Sequence, residues 1–339
     1  GKHQLYSMGI TLEGHERLFA VGTWDGQLRI YNIEDNPNNN QLALVQKFFK
    51  QVKWPVIDIA WSKNNKSLYY TMIDNTVCEI DLHKPTINNK VCSHSDIIRN
   101  IFYFEGGDSL VTASFDKTIK TWDLKKPTPS SIIELGHKPY ATDMCDSLIG
   151  CGLSNETVVT IQLSPYNKKS VQMSQLGKHS QIQCLAIDPI GSAMAYGSND
   201  GRVSLIKLTN NYIMGVAEQV TSLSYLDPIF SFKAEKQEIP GSTIMHNINA
   251  IGFNSRNPKW FFTASSQALS AWNYQSKNRV DSTPTQRPVT SCGVSHSGQF
   301  MAYGLGNDYH LGPDVPLNQP TDLRVHYITD IEVEKTKWV

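Results

Sequence analysis

The stretch Ser114-Phe115-Asp116-Lys117-Thr118-Ile119-Lys120-Thr121-Trp122-Asp123 sets a small polar turn before a short strand in which apolar and polar residues alternate. The same phrase recurs on either side of it. Thr23-Trp24-Asp25-Gly26-Gln27-Leu28-Arg29-Ile30-Tyr31 and Ser198-Asn199-Asp200-Gly201-Arg202-Val203 are its clearest relatives. Met72 to Val77, Ser154 to Val158, Ala264 to Asn273 and Gly306-Asn307-Asp308 are weaker ones. The turn positions are therefore Asp25, Asp74, Asp116, Asn155, Asp200 and Asp308, with Ser266 standing in for the acid in the sixth copy. Most successive copies fall near the interval of about 40 to 45 residues that one four-stranded propeller blade occupies. A turn of Asp-Gly or Asp-Asn type supplies the positive φ that reverses two strands, and Leu28, Ile30 and Ile119 then point inward. One such sheet buries too little alone, so radial stacking is the expected solution. The sequence predicts an all-β, seven-bladed β-propeller running as a single domain over residues 1–339.

A second marker lies upstream of three turns. His94, His179 and His246 precede their turn positions by roughly 20 residues, where blades of the WD type place a histidine that hydrogen-bonds across the sheet. They are expected to be structural, because buried polar groups are normally paired, and no metal site is predicted.

Lys plus Arg and Asp plus Glu both total 31, so no global field draws the chain onto nucleic acid or an anionic membrane. Cys78, Cys92, Cys145, Cys151, Cys184 and Cys292 form no CxxC pair or zinc-type block and read as reduced core thiols of an intracellular protein. The apolar runs are strand-length, too short to span a bilayer. The sequons at Asn65 and Asn155 are incidental on this reading. Tyr6 to Ile10 reads as the innermost strand of the first blade, which raises the expectation that a further N-terminal strand is missing.

Loops carry binding while blades carry the fold, so departures from the period point to function. The interval from Asp200 to Ser266 exceeds a blade by roughly 20 residues, and the excess falls around residues 209–241, including the strand-like Pro228-Ile229-Phe230-Ser231-Phe232-Lys233. A smaller loop of Asn and Pro occupies 35–40. Residues 303–316 are too rich in Gly and Pro for a plain hairpin before a final strand at Leu323 to Tyr327. A short charged tail follows at 329–339.

The usual catalytic phrases are missing: there is no phosphate-binding G-x-x-x-x-G-K-[ST], no H-E-x-x-H and no G-x-S-x-G. The blade aspartates are accounted for by turns. The chain is read as a non-enzyme without a cofactor.

Ser114 to Asp123, Gly201-Arg202, Phe230-Ser231-Phe232-Lys233, Asn247 to Phe253 and the last-blade phrase Phe300 to Gly312 together resemble the propellers that comprise the messenger-RNA export factor of the nuclear pore and its spindle-checkpoint sibling. The resemblance covers nearly the whole chain. It implies a non-enzymatic adaptor that captures a Glu-containing GLEBS-type hairpin from a phenylalanine-glycine nucleoporin, in a protein of the nucleus and nuclear envelope that shuttles to the cytoplasm. It further implies that Trp24, Arg202, Phe232 and Lys233 form the receptor surface. The residue chemistry fits that role, since Arg and Lys make charge-assisted bonds to glutamate and aromatics serve as anchors. Two departures stand against the family pattern: Ala234-Glu235-Lys236 replaces Cys-His-Arg, and Tyr309 and Pro313 replace the Trp and His of the last-blade phrase. The alternatives are a checkpoint adaptor that recruits kinases to kinetochores, and a single-stranded RNA-binding propeller using basic residues such as Lys117, Lys120, Lys125 and Lys126, for which stacking aromatics in a basic groove would be required.

Overall fold

The computed structural model describes residues 5–13, 16–35, 42–63, 65–84, 86–104, 106, 108–163, 171–175, 181–208, 228–234, 236–239, 242–306 and 322–329. They form seven antiparallel sheets in a closed ring, which is a β-propeller. Blades 1 to 7 span 5–51, 56–93, 98–134, 139–175, 182–233, 248–284 and 289–327. Six have four strands, and blade 7 has three among the described residues. Within each blade the strands run in sequence order from the channel outward, so Leu5–Glu13 is the innermost strand of blade 1. The inner strand of each blade lies beside that of the next, and blade 1 lies beside blade 7.

The inner strands run parallel to one another around the channel. Ile182 and Ile248, which open the inner strands of blades 5 and 6, press against Gly152 and Gly197 near the end of the second strand of the preceding blade. The turns between second and third strands therefore all lie on one face, here called the turn face. The loops entering each blade share that face, because Val52, His94, Leu135, Ala234 and Thr285 each donate their N–H to a carbonyl of the preceding blade's turn.

The turns obey one local rule. Gly26, Asn75, Lys117, Glu156 and Gly201, each one residue after the turn acid or its stand-in, have φ between 66° and 76°. Each donates its N–H to the carbonyl three residues back. The turn side chain is fixed by a neighbouring hydroxyl: Thr76 to Asp74 at 2.7 Å, Thr118 to Asp116 at 2.6 Å, Thr157 to Asn155 at 2.6 Å, Thr23 to Asp25 at 2.5 Å, and Ser198 to Asp200. Blade 6 differs, for Gln267 is not left-handed and Ser265 Oγ instead accepts the N–H groups of Gln267 and Ala268. Asp308 and His179 lie outside the described residues.

Alternation holds less well than the sequence suggests. Second strands such as Ser109–Ser114, Leu148–Leu153, Ala193–Ser198 and Trp260–Ser265 are buried at every position. Both faces of a blade are covered by neighbours, so there is no solvent face for polar residues to seek. The apolar clusters of the described residues accordingly sit one at each blade interface, with the last, around Phe19, Val21, Phe300 and Ala302, sealing blade 1 to blade 7.

The long interval also resolves differently from a simple insertion. Pro228–Lys233 is the outermost strand of blade 5 itself, paired along Arg202–Lys207. The extra element is a separate hairpin of Lys236–Ile239 and Ser242–Met245. Residues 209–227 and the tail 330–339 lie outside the described residues.

The inner strands share one irregularity. In all seven, pairing skips the second residue: Tyr6, Ile57, Arg99, Tyr140, Gln183, Asn249 and Thr290 are each the extra residue of a bulge. Each bulge lies at the strand end on the turn face, at the mouth of the channel.

Candidate functional site on the turn face

Blade 5 holds three of the four expected receptor residues together. Arg202 opens the third strand and Lys233 closes the fourth, and the two are direct cross-strand partners. Both are exposed. Arg202 Nε bonds Asp200 Oδ2 at 3.0 Å. Phe232 faces the other way: its ring lies 4.4 Å from that of Trp272 on blade 6 and 5.3 Å from Phe230, centroid to centroid. It belongs to the apolar cluster between blades 5 and 6, so packing is its main observed contact.

Trp24 occupies the turn of blade 1, three blades around the ring from blade 5, and is 41 % exposed. It is not alone there. Gln51 Nε2 bonds the Asp25 carbonyl at 2.7 Å, Val52 N–H bonds Gly26, and Trp54, also 41 % exposed, follows in the same loop with Lys53 Nζ 5.1 Å from its ring centre. Lys53 and Trp54 lie between blades, outside the repeated turn phrase, so the repeat does not single them out; an aromatic beside a lysine in a blade-entry loop is the signal that does. The same face thus carries a cationic pair on blade 5 and, at the turn of blade 1 and the loop that follows that blade, two exposed tryptophans. Between them, on blades 3 and 4, Phe115 meets Tyr140 edge to face at 5.9 Å, with Lys138 Nζ 5.5 Å from the Phe115 ring centre and 3.2 Å from Asp96.

Among the residues read as blade struts, His94 is held at both ring nitrogens. His94 is buried, with Nδ1 2.8 Å from Asp116 Oδ2 and Nε2 2.7 Å from Thr112 Oγ1, which also accepts Trp122 Nε1–H at 2.8 Å. Burial lowers the imidazole pKa despite the adjacent carboxylate, so the ring is neutral at neutral pH. It donates from Nδ1 to Asp116 and accepts the Thr112 hydroxyl at Nε2. Burial alone would raise Asp116, but bonds from Thr118, His94 and the Ser95 N–H outweigh it and hold the carboxyl at about 2. His246 is buried likewise, in a blade where Trp272 Nε1–H bonds Thr263 at 2.9 Å.

The basic residues considered for RNA are largely engaged within the blade. Lys120 Nζ lies 3.7 Å from Asp116 and 5.7 Å from the Trp122 ring centre, and Lys126 pairs with Asp123 at 3.3 Å. Among the described residues no group of three His, Cys, Asp or Glu could hold a metal ion. All six cysteines are free, and burial pushes the Cys92 and Cys151 thiols up to about 12.

Residues 87–123 match the family described as WD domain, G-beta repeat. Over most of its length the chain is 26 % identical to the Poly(A)+ RNA export protein of Schizosaccharomyces pombe, covering 93 % of this chain and 85 % of that protein. The chain is similar over most of its length to proteins named as messenger-RNA export factors. This relationship recurs with the mRNA export factor GLE2 of Chaetomium thermophilum at 26 % identity, covering 91 % and 82 %, and with Protein Rae1 of Drosophila melanogaster at 25 %, covering 88 % and 82 %. Among solved structures, U3-55K superposes on this chain with a TM-score of 0.74 over 96 % of the chain and 95 % of its own, at 15 % identity, a likeness of fold.

Proposed function

We propose that this protein is a non-enzymatic adaptor of messenger-RNA export that binds a Glu-containing GLEBS-type hairpin of a phenylalanine-glycine nucleoporin at the nuclear envelope. The observation that carries the reading is the Arg202–Lys233 pair. Like charges directly opposite on neighbouring strands are unfavourable, and among the described residues Arg202 of this pair bonds Asp200. A partner glutamate on the rim of blade 5 relieves that repulsion with charge-assisted bonds. Trp24 and Trp54 supply exposed aromatic surface elsewhere on the same face, the side-chain type that most often dominates an interface. The export assignment follows the names of the similar proteins and is preferred over the kinetochore and RNA readings.

Calorimetry with a Glu-containing hairpin peptide tests it. Reversal of both charges, Arg202→Glu with Lys233→Glu, is expected to weaken binding by about tenfold or more. Unchanged affinity would remove blade 5 from the interface.

A further inference from the structure

The mouth of the central channel holds a cation, Arg99, that has no carboxylate partner among the described residues. Arg99 is the bulged residue on the inner strand of blade 3, and a bulge re-aims its side chain out of the ladder. Its Nε donates to the Tyr140 carbonyl on blade 4 at 3.1 Å. Asn249, at the matching bulge of blade 6, reaches the Val289 carbonyl on blade 7 at 3.0 Å in the same sideways manner. An amide is satisfied by such a contact, but a guanidinium keeps its terminal fork of N–H donors.

Nearby acids are already used. Asp96 pairs with Lys138 at 3.2 Å, and Asp58 Oδ2 accepts Ile101 N–H at 3.0 Å and Asn100 Nδ2 at 3.2 Å. Arg99 forms no ion pair among the described residues. The guanidinium therefore reaches from blade 3 to blade 4, where the Tyr140 carbonyl takes only its Nε–H. A half-enclosed cation with an open fork favours a planar anion, which meets it with two parallel bonds.

We propose that the channel mouth on the turn face is a carboxylate-binding site, in which Arg99 grips the side chain of one acidic residue of the segment that docks across this face. The inference rests on the reading that such a segment docks there, and it adds a contact on blade 3 that is separate from the Arg202–Lys233 pair. Tyr140 and Phe115 form the aromatic shelf beside it.

The test uses the full chain and the Glu-containing hairpin peptide. Arg99→Gln is expected to weaken binding about tenfold or more. One Glu→Gln change in the peptide should cost the same against the wild type and nothing further against Arg99→Gln, the signature of a direct pair. If Arg99→Gln fails to fold, NMR of the unmodified protein decides, since the Arg99 guanidinium N–H signals should shift and sharpen when peptide is added. Peptide binding that is indifferent to Arg99, with unchanged guanidinium signals, overturns this site and leaves the blade 5 reading standing. No peptide binding to the wild type overturns both.

Discussion

Asp116 and Asp74 occupy the same turn position in neighbouring blades and do different work. Asp116 is enclosed and bonds His94, Thr118 and Ser95, whereas Asp74 is exposed and bonds Thr76. Removing the Asp116 carboxylate leaves the buried His94 Nδ1–H only the longer contact to Thr118 Oγ1 at 3.4 Å. Asp116→Ala is therefore expected to cost about 3 kcal/mol and Asp74→Ala below about 1 kcal/mol, measured by urea unfolding. Because the Asp116 carboxyl is held low, its contribution is complete above about pH 4 and fades as pH falls through about 2. The sequence equates the two aspartates. Burial separates them, and it depends on the next blade, which no local spacing reports.

Between strands, the tightest constraint is the approach of each blade to the one before it. A Cβ at Gly197 would lie 2.6 Å from Ile248 Cγ2 and 2.8 Å from Cys184 Sγ, and one at Gly152 would lie 2.5 Å from Ile182 Cγ2. These glycines have no positive φ to explain them; they are there because the opening isoleucine of the next blade occupies the space. Gly197→Ala is expected to lower stability by about 1 to 3 kcal/mol through overpacking, read as a fall in melting temperature. Phe232 shows the same principle. Its place in the phrase Phe-Ser-Phe-Lys suggests an anchor for a partner, but Trp272, supplied by blade 6, covers much of it. Strand alternation told which residues share a face of Pro228–Lys233, and not that blade 6 already occupies Phe232's face.

Across the whole molecule, side chains staple neighbouring inner strands around the channel. Asp58 of blade 2 bonds the backbone of blade 3, and Asp143 of blade 4 accepts Ile187 N–H of blade 5 at 2.8 Å. Burial raises the Asp143 carboxyl to about 6, against the pull of the Ile187 and Met144 N–H groups. An acid raised on folding adds stability that is complete below about pH 4 and is lost as pH climbs through about 6. The difference corresponds to up to about 3 kcal/mol. Asp143→Asn keeps an acceptor for Ile187 and never ionises. It should melt higher than the wild type at pH 7, and the gap should close as pH falls to about 4; a constant gap would show that the charge is not the cause.

The repeat spacing determined the number of blades, and the turn residues determined the hydrogen-bonded turns of blades 1 to 5, because these depend on residues close in sequence within one sheet. The placement of Arg202 beside Lys233 needed the fourth strand of blade 5, which enters only after a long excursion of the chain. Trp54 beside the turn of Trp24, the covering of Phe232 and the opening of Arg99 at the channel mouth were likewise decided by tertiary structure. Each depends on what a neighbouring loop or blade puts against the residue, and closing a ring brings together surfaces whose contacts are fixed by geometry in three dimensions and not by distance along the chain.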